Sequence, residues 1–224
     1  MDISKSTVLG NSSLGIFALS SEKYSIVPFG TKDSNIETIS ETLDVSVIKN
    51  TIGNSVLIGT LAIGNSKSLL VPQNISGKEI SLLTEAFEEN VEIIEIKSKH
   101  TALGNLIVMN DKGAIISEIF EKNVQTQIKD ILEVEVVVGS LLESPLVGSM
   151  AMSTNKGALV HPLLSDEEVR ELSSILRVRA DVCTINRGIP YPRVGIIANS
   201  KGAVIGTDST GPESMRIFEV LLAP

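Results

Sequence analysis

The sequence predicts an α+β protein of five ββαβ-type repeats closed into a pseudo-fivefold ring, an α/β propeller. Three observations carry that prediction. Lys23, Lys67, Lys112, Lys156 and Lys201 recur at intervals of 44, 45, 44 and 45 residues. Four of them follow a glycine by eight residues: Gly15, Gly59, Gly104 and Gly148. Aliphatic pairs come three and four residues after each lysine, from Ile26-Val27 to Val204-Ile205. A period of this length marks stacked or radial units, none of which can bury its apolar face alone. Five units of about 45 residues use the whole length, so residues 1–224 read as a single domain.

Each unit reads as strand, tight turn, strand, helix, strand. In the third, the apolar run Leu106 to Met109 is followed by Asn110-Asp111-Lys112-Gly113 and then Ala114-Ile115-Ile116. Asn-x-Lys-Gly between β-rich runs predicts a hairpin in which Asn starts the turn and Gly takes a positive φ. Tyr24 and Ser68 replace that glycine in the first two units, so those turns must bend differently. The periodic lysines are then exposed hairpin tips. A helix follows, clearest from Ser165 to Leu176, where Ser165 and Glu168 form a capping box and Val169, Leu172, Ile175 and Leu176 form an apolar stripe. Its counterparts are Ser34 to Leu43, Ser76 to Phe87, Glu121 to Leu132 and Pro212 to Leu222. Their acidic residues read as a solvated face that favours the helix dipole.

The third strand is represented by Val45-Ser46-Val47 and Val134-Glu135-Val136. The fifth unit lacks one before Pro224, whereas Met1 to Leu14 resembles one without a hairpin or helix before it. An amino-terminal strand that completes the fifth unit closes the ring and leaves no deficient end.

Composition narrows the function. A net charge of −8 and 3% aromatic residues argue against phosphate neutralisation by the whole surface and against base stacking. The lone Cys183 excludes an internal disulfide and fits a reducing compartment. No apolar run approaches the ~18 residues of a membrane span, and no signal-peptide pattern opens the chain. The reading is a cytoplasmic protein with no membrane or DNA partner. All six arginines fall between Arg170 and Arg216, which reads either as a docking surface in the last quarter or as compositional drift.

Enzyme chemistry has few candidates. Cys183 lies in a β-run, where a small buried residue is expected before a nucleophile. His100 and His161 sit in different units and make no metal site, and no glycine-rich phosphate loop is present. No catalytic residue, metal or cofactor is expected. Binding is better supported, because a ring places equivalent residues on one face. The residue after each repeat glycine is Ile16, Thr60, Asn105 or Ser149, while the fifth glycine, Gly195, is displaced by two. The loop Asn186-Arg187-Gly188 offers an arginine and a close backbone approach. All of these serve equally as turn formers.

The motifs Leu57-Ile58-Gly59, Gly64-Asn65, Leu69-Leu70-Val71-Pro72, Ala102-Leu103-Gly104-Asn105, Leu146-Val147-Gly148-Ser149, Gly157 to Pro162, Glu171-Leu172-Ser173-Ser174 and Asn186-Arg187-Gly188 resemble the translation initiation factor six family across essentially the whole chain. The resemblance implies the pentein fold. It also implies a non-enzymatic, monomeric factor that binds the large ribosomal subunit near the sarcin–ricin loop, on an adjacent ribosomal protein and rRNA. Such a factor blocks the small subunit sterically and takes part in large-subunit maturation. Carried over, Thr60, Asn105, Ser149, Asn186, Arg187 and Gly188 become the ribosome-facing residues. Eukaryotic members commonly carry Arg where Thr60 stands, so a charged contact at that position is not carried over. They also carry a tail beyond the fifth unit, and without one this chain looks archaeal. The alternative is a pentein guanidine-modifying enzyme, which would use Cys183.

Overall fold

The computed structural model describes residues 2–223; Met1 and Pro224, both used in the closure argument, lie outside them. The chain forms five three-stranded sheets, each with its second strand in the centre, antiparallel to the first and parallel to the third. In the third unit these are Ile107–Met109, Gly113–Ser117 and Glu135–Gly139, with the helix Lys122–Leu132 between the second and third. The corresponding outer helices are Asp33–Leu43, Gly77–Phe87, Asp166–Leu176 and Gly211–Leu221. Capping boxes start three of the five, at Ser76, Ser165 and Thr210.

The fifth sheet is completed by Asp2–Ser6, which pairs in parallel with Gly202–Gly206 from Asp2 opposite Gly202 to Ser6 opposite Gly206. Closure by the amino-terminal strand is therefore the observed topology.

The sequence missed one element. Each unit opens with a short helical turn: Leu14–Phe17, Ile58–Leu61, Leu103–Leu106, Val147–Met150 and, in 3-10 form, Pro192–Gly195. Four residues around a glycine show no helical period, so nothing in the pattern marks them. These inner turns touch one another in sequence around the axis, the fifth meeting both the fourth and the first.

Apolar packing crosses every boundary. Val108 and Ile115 of unit three share a core with Val147 and Leu172 of unit four, and Ile197 and Val204 of unit five share one with Ile39 and Leu43 of unit one. The hairpin glycines serve this packing rather than the turn. Gly113, Gly157 and Gly202 do not have positive φ. A Cβ there would collide with the backbone carbonyl of Ile175, Val220 or Thr42, each on the next unit's outer helix. Tyr24 occupies that place in unit one and packs against Phe87 with the rings tilted, 4.7 Å between ring centres. The side chain holds the second outer helix away and leaves a cleft of about 440 Å³ between units one and two.

Candidate functional site

At one end of the axis the inner turns interlock through the repeat glycines. A Cβ on Gly59 would strike the carbonyl oxygen of Gly15, one on Gly104 that of Gly59, and one on Gly148 that of Gly104. This close stacking brings the following residue of each turn to the axis. Ile16, Thr60, Asn105, Ser149 and Val194 surround a dimple of about 30 Å³, which Arg193 also lines. The structure thus gathers Thr60, Asn105 and Ser149, three of the sequence-selected residues, at one mouth.

Around that collar lies an apolar rim. Leu57, Leu146 and Tyr191 stand at the start of their inner turns and are 38%, 42% and 36% exposed. Leu9 and Val56, on the turns leading into the first two units, are exposed as well. So are Phe29, Ile119 and Leu163, just past the second strands. Met215 and Phe218 are exposed too, on the fifth outer helix away from this mouth. Exposed leucines are common singly, but a set concentrated at one end of a molecule marks a surface meant for a partner. The repeat pattern gave no sign of this rim, because its positions vary from unit to unit.

The Asn186-Arg187-Gly188 turn belongs to the same end, and its three residues have separate roles. Asn186 is buried: its Nδ2 donates to the Ser12 carbonyl at 2.8 Å, and its Oδ1 accepts from Ser209 Oγ at 3.1 Å. It ties units one and five together. Arg187 and Gly188 are exposed, and their amides donate to the Glu213 carboxylate at 3.2 and 2.9 Å. Glu213 also accepts from Thr184 Oγ1 and the Thr210 amide. Burial pushes its pKa up, but these hydrogen bonds outweigh burial and hold it at about 2.

Glu79 grips the turn before unit two in the same way, accepting from Thr51 Oγ1 at 2.6 Å and from the Asn54 amide at 2.8 Å. Burial raises its pKa, yet these bonds bring the net shift below the ordinary carboxylate value. Glu168 does so before unit four through the Leu142 amide at 3.1 Å. The early helix acids were read as a solvated face. Glu79 and Glu213 are instead buried latches between units, because the third helical position points back at the incoming turn.

The other mouth is built from hairpin tips. Glu22, Asp111, Asn155 and Ser200 join round the axis: the Asp111 amide donates to Asn155 Oδ1 at 3.0 Å, and Ser200 Oγ to Glu22 Oε1 at 2.8 Å. The five lysines are exposed beside them, as expected for tips. Two of them also reach towards the C-terminal ends of neighbouring outer helices. Lys201 Nζ donates to Asp44 Oδ2 at 2.7 Å, and Lys112 Nζ to the Arg177 carbonyl at 3.5 Å. A cation there favours the helix dipole.

Cys183 is buried, and its Sγ donates to the Thr184 carbonyl at 3.0 Å. Burial, and secondarily the Glu213 carboxylate, push the thiol up to about 12, so no thiolate is available near neutral pH. His161 is buried beside Tyr191, and burial lowers its pKa. No group of three His, Cys, Asp or Glu side chains that could hold a metal ion occurs among the described residues, and no described helix is long and apolar enough to cross a membrane.

Five ββαβ units closed about a narrow axis define a pentein. One solved structure with this architecture is the substrate-bound N-terminal domain of ArgZ, a cyanobacterial arginine dihydrolase. It aligns with a TM-score of 0.56 at 12% identity, over 84% of this chain and 74% of that one, a likeness of fold alone. The profile of the eIF-6 family matches residues 3–220, and the chain belongs to that family. Translation initiation factor 6 of Methanococcus vannielii is 41% identical over 223 residues, 98% of each chain. The factor of Pyrococcus abyssi is 43% identical over 93% of each, and that of Staphylothermus marinus 34% identical over 97% of this chain and 96% of its own. These relatives are translation initiation factors.

Proposed function

We propose that this protein is a monomeric, cytoplasmic ring that docks on the large ribosomal subunit through its inner-turn mouth. Bound there, it sterically prevents premature joining of the small subunit, and it also takes part in large-subunit maturation. The observation that carries the reading is the concentration of exposed apolar side chains at one end, around a collar of small uncharged residues. Thr60, Asn105 and Ser149 let a partner approach the axis closely. Leu57, Leu146 and Tyr191 supply apolar anchors, and Arg187 a directed cation. Asn186 and Gly188 shape the turn that presents Arg187. An acidic protein docks on a basic ribosomal protein without general adhesion to rRNA.

Gradient co-sedimentation with purified archaeal large subunits, repeated after adding small subunits, tests this directly. Co-migration with the large subunit and loss of the joined-ribosome peak support the reading, whereas no co-migration at low salt overturns it. Affinity should also fall less steeply with salt than for a protein that clamps many phosphates. Replacing Cys183 with Ala should leave anti-association unchanged.

A further inference from the structure

Four inner turns carry a glycine eight residues before the hairpin lysine; the fifth carries Arg193. Its backbone takes the glycine's place in the stack, with its carbonyl facing Gly15. Its side chain turns across the axis, where Nη2 donates to the carbonyl oxygen of Gly59, in unit two, at 3.2 Å. Nε is enclosed and has no hydrogen-bond partner. No carboxylate contributes to the electrostatics of this guanidinium; burial alone lowers its pKa, to about 10, which leaves it charged at neutral pH. Arg193 as a whole is half-buried; a cation partly withdrawn from water without a counter-charge is disfavoured.

Arg193 also lines an axial cavity of about 40 Å³ on the side towards the hairpin mouth. Met109, Met152, Ser20 and Ser153 are among its walls, and no carboxylate is. Both serine hydroxyls already have partners, Ser20 with Ser25 Oγ at 2.9 Å and Ser153 with the Thr154 carbonyl at 3.1 Å. The guanidinium is therefore the charged donor of this space. About 10–15 Å³ of such volume admits one water molecule, so the cavity takes a halide-sized body and excludes a nucleotide.

We propose that the ring axis is a binding site for one small monovalent anion, chloride in size, seated against the Arg193 guanidinium. The anion supplies the counter-charge that the protein lacks there and fastens unit five to unit two across the ring. This site is independent of the ribosome-docking reading.

Crystals of the full chain grown in sodium bromide test it by anomalous scattering, alongside thermal melts in chloride and in gluconate at matched ionic strength. Gluconate is too large for the cavity. The expected result is a bromide peak on the axis beside Arg193, with Tm about 3 °C higher in chloride than in gluconate. Arg193→Met and Arg193→Gly should abolish the chloride-specific shift. Bromide found only at the surface lysines, or equal melts in the two salts, would overturn the proposal. Should neither variant fold, the wild-type crystal and melts decide it alone.

Discussion

At the inner-turn mouth the side chains meeting round the axis are Ile16, Thr60, Asn105, Ser149 and Val194, ringed by exposed Leu57, Leu146 and Tyr191. At the hairpin mouth they include Glu22, Asp111, Asn155 and Ser200, flanked by five exposed lysines. None of the large exposed apolar side chains among the described residues lies on a hairpin tip. One repeat thus builds two chemically opposite surfaces. Positions that meet the neighbouring unit are constrained, such as the stacked glycines and the tip asparagines Asn110 and Asn199. Asn110 caps its own turn through Oδ1 and reaches the Thr154 and Leu176 carbonyls of the next unit through Nδ2. The residue one step beyond each stacked glycine differs from unit to unit, and the proposed docking residues stand there.

The largest expected effect tests the constrained class. Gly104→Ala places a methyl group against the Gly59 backbone carbonyl, which cannot rotate away. It should cost about 3 kcal/mol in urea denaturation. A neutral result would mean that the inner turns are not interlocked.

Next comes the contrast between mouths. The double variant Leu57→Asp, Leu146→Asp should weaken co-sedimentation with large subunits by about thirtyfold or more, the loss typical of buried anchors. Lys112→Glu at the opposite mouth should leave it within about twofold. Equal losses at both mouths would remove the assignment of the docking end.

Glu213→Gln probes the latch behind the Arg187 turn and should cost about 1–3 kcal/mol. The pH dependence has a definite sign. The folded pKa of about 2 lies below the ordinary 4.5, so the stabilisation is complete above about pH 4.5 and is lost as pH falls towards 2. Between those values the melting temperature of wild type should drop more than that of the variant. The smallest effect is expected from Lys201→Met, whose ion pair with Asp44 is largely exposed; it should change stability by no more than about 0.5 kcal/mol.

Much of the fold was legible because hydrophobic periodicity and repeat spacing report what each unit must bury. The five outer helices, the hairpins and the closing strand all follow from that requirement. The inner turns were not legible, being too short to show a period. The hairpin glycines were found for the wrong reason: they make room for a helix from the next unit, and a contact of that kind leaves no local signal. The same holds for Glu79 and Glu213, whose partners arrive from turns 25 to 29 residues earlier. Arg193 did leave a trace, since the glycine spacing breaks at that position and resumes two residues late. A broken period locates a special residue; its reach across the axis needed coordinates.

The strand Asp2–Ser6 has one further consequence. In the other four units two to four residues join the outer helix to the third strand, as between Leu43 and Ser46 or Phe87 and Glu92. The corresponding join between Leu221 and Asp2 is the place where the polypeptide happens to be cut. A ring with five equivalent seams has no preferred first residue. A circular permutant reopened between Glu88 and Glu89, with a short linker across the native seam, should keep the same architecture and much of its stability. Its folding speed should change, because the native order makes the earliest segment of a nascent chain wait for the latest before either can be sheet.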